Sequence, residues 1–318
     1  MIRIMDRVAI IGAGVSGLTC GVVFAERGYR MAIFAKETGQ QTTSGAAAAV
    51  WFPYDAEPQH KVIPWALDTF HALVDLARVP GSGVSMIELR QFSRTREVQI
   101  PNWAIPLGVS VIPSVEGSLE SFKSGFSLRV PLMDTTVYLD YLAARFLKAG
   151  GAITANVCFE KIEDVDRKFD LVINCAGIGA RELVHDVDLE PHRGQVAIVP
   201  RIKRLSCAIV CDDAPLMYAI PRRNDCVFGG TNDLSSDLAL DAATTDQIIA
   251  ECSRVMNIDK PNILAERVGL RPFRTSGVRL ERDELRDGRT VIHNYGHGGS
   301  GFTLSWGCAR EVVNLATL

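Results

Sequence analysis

Three glycines near the start of the 318-residue chain, Gly12, Gly14 and Gly17, restrict its fold more than any other feature. Arg7 to Ile11 ahead of them is a short apolar run of strand character. Leu18 to Arg27 after them reads as a helix stopped by Gly28. A second apolar run, Arg30 to Ala35, follows at once. Strand, helix and strand in this order predict two parallel strands joined by a crossover helix. In that setting the pattern G-x-G-x-x-G is a dinucleotide-binding turn. The first glycine allows the tight turn, the second lets backbone approach a pyrophosphate, and the third lets helix and strand pack closely. The helix N-terminus then aims its dipole and free N–H groups at the phosphates. Glu37, twenty residues after Gly17, lies at the end of the second strand. A carboxylate there accepts hydrogen bonds from both ribose hydroxyls and repels a 2′-phosphate, which disfavours NADP. Lys36 beside it either covers the adenine or is merely solvated.

Composition narrows the class further. Lys and Arg total 34 against 37 Asp and Glu, a net charge of −3, which argues against a protein held to nucleic acid by basic charge. Hydrophobic residues at 47% and charged residues at 22% provide for a substantial core. No apolar run approaches the ~18–20 residues that a membrane helix needs. The start, Met1 to Arg7, shows no signal-peptide pattern. The eight cysteines form no C-x-x-C pair. They read as buried free thiols in a reducing, cytoplasmic compartment, and no metal site is expected.

Farther along, the sequence predicts a helix over Pro64 to Ala77, strands within Val84 to Ile100 and Val109 to Val115, and a strand at Arg129 to Asp134. A helix at Thr136 to Ala149 precedes strands at Ala152 to Val157 and Leu171 to Asn174. After Arg193-Gly194-Gln195 come short strands at Val196 to Val199, Cys207 to Val210, Met217 to Ile220 and Cys226 to Gly229. Arg222 and Arg223 sit between the last two, either as a solvated hairpin tip or with one of them folded inward. Thr245 to Met256 is a helix, Gly269 to Arg274 and Thr290 to Asn294 are strands, and Thr303 to Ala316 is a closing helix.

Two later segments bear on the nucleotide. Leu171 to Cys175 ends in Ala176-Gly177-Ile178-Gly179-Ala180, small residues that let backbone approach the same cofactor. Between a strand and the closing helix, His293 to Thr303 packs four glycines into the six residues 296–301. These permit close approach to a flat ring, and the following helix N-terminus favours a reduced, negatively charged flavin. Three separated segments on one ligand suit extended FAD better than NAD. His297 either takes part in function or bonds locally. Arg271, in Gly269-Leu270-Arg271-Pro272, ends an apolar strand and needs an anion, either a substrate carboxylate or an internal Asp or Glu. Tyr218 is either a core aromatic or a second donor to that anion.

These residues carry a resemblance. Ile10 to Leu18, Thr42-Thr43-Ser44 with Ala47 to Trp51, Arg193-Gly194-Gln195, Tyr218 to Pro221, Gly229-Gly230-Thr231, Gly269 to Pro272, and His293 to Gly299 continued by Ser305 to Ala309 occur in one order. In these the chain resembles the D-amino-acid oxidase family of FAD-dependent amine oxidases over nearly its whole length. The resemblance implies that Arg271 and the Tyr218 hydroxyl hold the substrate carboxylate and that the Gly299 carbonyl accepts from its amine. It implies FAD held by Gly12, Gly14, Val15, Ser16, Gly17, Lys36, Glu37, Thr43, Ser44, Ala49, Val50, Trp51, Phe159, Ala176, Gly177, Gly298, Gly299, Ser300, Gly301, Phe302 and Thr303. The reaction implied is hydride transfer from a D-amino acid to the flavin, with a 2-oxo acid, ammonia and hydrogen peroxide as products.

Cys211 to Leu216 is shorter than the matching segment of many eukaryotic members and lacks its lid tyrosine, so a more open pocket is expected. Ser300 replaces a larger aromatic residue of some relatives, which again leaves room. Alternatives are a relative acting on glycine, N-methyl or D-aspartate-type substrates, or a scaffold that binds FAD without turnover. The expected architecture is mixed α/β, a Rossmann-like FAD domain (residues 1–50, 135–195 and 265–318) interleaved with a mixed-sheet substrate domain (51–134 and 196–264). Expected partners are the D-amino acid and O₂, with no nucleic acid and no membrane; a homodimer is compatible with the sequence.

Overall fold

The computed structural model describes residues 7–112 and 122–318, so residues 113–115 of the expected strand lie outside the described part. The chain opens with β1 (Arg7–Ala13), α1 (Val15–Ala25) and β2 (Arg30–Thr38). β1 and β2 pair in parallel, Val8 opposite Met31 and Ile11 opposite Phe34. Ten of the eleven α1 residues are buried, as expected for a helix that is apolar all round. Then follow α2 (Thr43–Ala46), α3 (Gln59–Leu76), β3 (Val84–Ser93), β4 (Ser110–Ile112), β5 (Ser124–Met133) and α4 (Thr135–Lys148). β6 (Ala152–Ala155), β7 (Leu171–Asn174), α5 (Ala180–Leu183) and β8 (Leu189–Pro200) come next. The remainder is β9 (Cys207–Cys211), β10 (Met217–Pro221), β11 (Asp225–Gly229), β12 (Asp233–Leu234), α6 (Ala242–Met256), β13 (Ala265–Arg274), β14 (Arg279–Glu284), β15 (Thr290–Tyr295) and α7 (Gly301–Ala316).

Among the described residues these strands form two sheets. One has the order β14-β15-β7-β1-β2-β6 and is parallel except at β14. The other, mixed sheet runs β12-β8-β11-β10-β9-β3-β5-β4, with β13 also paired to β8. The mixed α/β architecture is the expected one. β8 crosses residue 195 and β13 begins at Ala265, and both belong to the larger sheet. The main core joins α1, α3, α4 and α7 to the parallel sheet, and a second core lies under α6. No helix among the described residues is long and apolar enough to cross a membrane.

Several elements depart from the sequence reading. β5 starts at Ser124, five residues before the expected strand. α3 starts at Gln59, not Pro64, because its first turn is polar and solvent-facing. β14 was not expected: as an antiparallel edge strand with four exposed residues it carries no apolar run. Arg222 is not solvated. Its side chain is 1% exposed, and Nε and Nη2 donate to the two Asp225 oxygens at 2.7 and 2.8 Å, while Arg223 is exposed. All eight cysteines are free, and seven are buried; Cys158 is the exposed exception.

Candidate functional site

The carboxyl ends of β1, β2 and β7 open into one cavity of about 850 Å³. β1 lies between the other two, the switch point at which parallel sheets hold ligands. Gly12 there has φ +107°, and a Cβ would meet the Cys175 carbonyl oxygen at 2.3 Å. A Cβ on Gly17 would lie 2.0 Å from the Gly12 oxygen, so α1 reaches the strand only through glycine. Gly14 is the N-cap of α1, and the Val15 N–H donates to Ser44 Oγ at 2.9 Å. That bond fastens the 42–46 turn to the helix start. Arg267 Nη1 donates to the Gly45 carbonyl at 2.6 Å and ties the same turn to β13.

Lys36 and Glu37 line the cavity where β2 ends, beside Cys158 and Phe159. Ala176 and Gly177 line it after β7. The Ala176 N–H donates to Asn174 Oδ1 at 3.1 Å, which turns the Asn174 amide nitrogen toward His293 Nδ1 at 3.3 Å. At the far end stand Gly298, Gly299, Gly301, Phe302 and Thr303. Thr303 Oγ accepts from the Phe52 N–H at 3.1 Å and donates to its carbonyl at 3.0 Å. Ser300 Oγ accepts from the Tyr54 N–H at 2.8 Å and donates to the Tyr54 carbonyl. Residues 52–54 are thereby fastened along the start of α7.

Of the sequence-selected residues, Gly12, Gly14, Val15, Ser16, Lys36, Glu37, Thr43, Ser44, Ala49, Val50, Phe159, Ala176, Gly177, Tyr218, Arg271, Gly298, Gly299, Gly301, Phe302 and Thr303 share this wall. Gly17, Trp51 and Ser300 lie behind it. Trp51 is fully buried and its Nε1–H donates to the Ala66 carbonyl at 3.0 Å. His297 faces the cavity and keeps its Nε2 on Asn294 Oδ1 at 3.1 Å. Burial pushes its pKa down to about 4, so it is neutral.

Arg271 and Tyr218 meet in the cavity wall on a bed of glycines. A Cβ on Gly194 would lie 2.5 Å from both terminal nitrogens of Arg271. One on Gly229 would lie 2.0 Å from the Tyr218 ring. Arg271 Nη1 donates to the Thr231 carbonyl at 2.8 Å and to Asn232 Oδ1 at 3.2 Å. Among the described residues no carboxylate pairs with it. Burial raises the Tyr218 hydroxyl above its ordinary range, against the opposing pull of Arg271, so it remains a donor. Tyr54, also in the wall, is pushed up to about 12 by burial, with Asp212 and Asp55 acting in the same sense.

Sequence reasoning missed Tyr54, Asp212 and Asn232. Asp212 had a signal: it follows Val210 by two, the spacing of one strand face. Tyr54 had none, because the hydrogen bonds to Ser300 that aim its segment connect residues 246 apart.

The cavity is lined by glycine backbone and two helix N-termini, with Glu37 and Arg271 both in its wall. That donor set fits FAD. A model of the FAD dependent oxidoreductase family, DAO, matches residues 7–315. The chain is 37% identical to a D-amino-acid oxidase of Rubrobacter xylanophilus over 99% of this chain and 97% of that protein. It is 36% identical to a D-amino-acid oxidase of Streptomyces coelicolor over 98% and 96%. It is 31% identical to the human D-aspartate oxidase over 98% and 94%. Its fold is similar to that of a glycine oxidase from Geobacillus kaustophilus, with a TM-score of 0.82 at 20% identity over 98% of this chain and 94% of that one. The glycine turn, the cavity beside it and these full-length likenesses agree: the chain belongs to the D-amino-acid oxidase family of FAD dependent oxidoreductases, with FAD as its cofactor.

Proposed function

We propose that the protein oxidises D-amino acids to the imino acids, which water converts to 2-oxo acids and ammonia. The observation that carries this is Arg271: a cation in the cavity wall with only neutral oxygens for partners among the described residues. A substrate carboxylate supplies the missing anion, bidentate to the guanidinium. The Tyr218 hydroxyl donates a further bond to it. The Gly299 carbonyl accepts from the substrate amine, and the two anchors fix which face of the α-carbon looks into the cavity. Positioning does the protein's share of the work, so no side chain is needed as a base. Bound FAD supplies the two-electron acceptor, and O₂ restores it with release of hydrogen peroxide. Glu37 accepts from the ribose hydroxyls, while the start of α1 and the 42–46 turn face the pyrophosphate. The eight free cysteines support a reducing, cytoplasmic setting.

Anaerobic visible absorbance tests the proposal. D-alanine should bleach the yellow holoprotein and L-alanine should not. A spectrum that no D-amino acid bleaches overturns it.

A further inference from the structure

One polar group at the substrate end has no part in holding FAD or an α-carboxylate. β9 and β10 pair antiparallel, with Val210 opposite Tyr218. Side chains two apart share a face of a strand. Val210 and Asp212 on one side, and Leu216, Tyr218 and Ile220 on the other, therefore line one stretch of cavity wall. Asp212 stands on the wall that presents the Tyr218 hydroxyl. Its Oδ2 accepts from Gln91 Nε2 at 2.8 Å. Among the described residues its other oxygen has no partner and it forms no ion pair.

The unused hydrogen-bonding capacity around it is two acceptor oxygens and one donor, Arg94 Nε. Gln91 is 8% exposed, and its carbonyl oxygen is buried without a partner. One Asp55 oxygen is likewise buried and unpartnered. Gln91 and Asp55 do not line the cavity, and Asp212 is the carboxylate that this stretch of wall presents to a ligand. Burial also raises the Asp212 carboxyl above the ordinary range, with the Asp213 and Asp55 charges in the same sense and the Gln91 hydrogen bond and Arg96 opposing. A cation in the cavity would act in the opposite sense and favour the carboxylate. Arg222 is spent on Asp225, and neither it nor Arg223 lines the cavity; Arg267, which does, is tied to Gln40 and the Gly45 carbonyl.

We infer that Asp212 selects the substrate side chain and that the enzyme prefers D-amino acids with a cationic end, such as D-arginine and D-lysine, over neutral or acidic ones of the same size. This rests on the oxidase reading above. Arg271 holds the α-carboxylate, the side chain extends along β9 and β10, and its guanidinium or ammonium donates to Asp212. Arg271 and Asp212 both line the cavity, with Tyr54 and Leu216 in the same wall.

The test compares kcat/KM for D-arginine with that for D-citrulline, which replaces the guanidinium by a neutral urea of nearly the same shape. In the unaltered holoenzyme the ratio should favour D-arginine by about tenfold, the usual scale for one lost ionic hydrogen bond. In Asp212→Asn it should fall toward one. Both substrates are read in one preparation, so poor folding lowers both and leaves the ratio intact. Asp212→Lys should invert the preference, favouring D-glutamate over D-glutamine. A ratio near one in the unaltered enzyme, or one that Asp212→Asn leaves unchanged, overturns the inference while D-alanine turnover still upholds the oxidase. Absence of turnover with every D-amino acid overturns both.

Discussion

At the scale of single residues, Arg271 carries the sharpest expectation. Its guanidinium is presented by the Thr231 carbonyl and Asn232 rather than neutralised by an acid. A bidentate carboxylate contact is worth a few kcal/mol, so Arg271→Ala should lower kcat/KM for D-alanine by roughly 10²–10³-fold, chiefly through KM. Steady-state kinetics on the FAD-loaded variant check this, with the flavin spectrum as control. A KM within threefold of the original would remove the carboxylate role. Residues of this kind were legible early because their chemistry is unusual: an arginine closing an apolar strand demands an anion. Arg222 shows the limit of that logic. It sits in a polar turn in sequence, yet Asp225 three residues on closes a bidentate pair that lets it be buried.

At the scale of elements, the paired strands β8 and β13 act as a rack for the arginine. Gly194 lies opposite Gly269 in their register, two residues before Arg271. A methyl group on Gly194 would collide with the end of the Arg271 side chain, which can swing away, so the fold tolerates it. Gly194→Ala should therefore raise KM for D-alanine about tenfold with a melting temperature close to the original. Gly229→Ala meets the anchored Tyr218 ring instead and should also destabilise the protein. Kinetics and thermal melts on the two variants separate these outcomes; an unaltered KM in Gly194→Ala would refute the rack. The glycine motifs were readable as motifs, but what each glycine makes room for belongs to a strand far away in sequence.

At the scale of the whole molecule, two histidines near the C-terminal glycine turn set a pH dependence. His293 is pushed down to about 4, by burial first and then by Arg279, and His297 to about 4 by burial. The unfolded chain binds a proton on each near pH 6.5, whereas the folded protein does so only near 4. Their contribution to stability is thus fully present above about pH 6.5 and is lost as pH falls toward 4. The limit is roughly 3 kcal/mol for each. Urea midpoints should fall steeply between pH 6.5 and 4.5. His297→Gln, which keeps a donor for Asn294 Oδ1, should reduce the slope by about half. An equal slope in both proteins would refute the assignment.

What the sequence determined by itself is what local chemistry enforces. G-x-G-x-x-G after an apolar strand, Glu37 at the next strand end and the 296–301 glycines specify a dinucleotide fold from their own neighbours. β7, lying wholly inside the sheet, was readable to the residue for the same reason. Tertiary structure decided how the proposed substrate end is assembled. Arg271 on β13, Tyr218 on β10, Gly194 on β8, Asp212 beyond β9 and Tyr54 beside α7 are separated by up to 217 residues, and none constrains another until the chain packs them around one cavity. Burial, which makes Asp212 a site for a cation and Arg222 a structural pair, arises only from that packing.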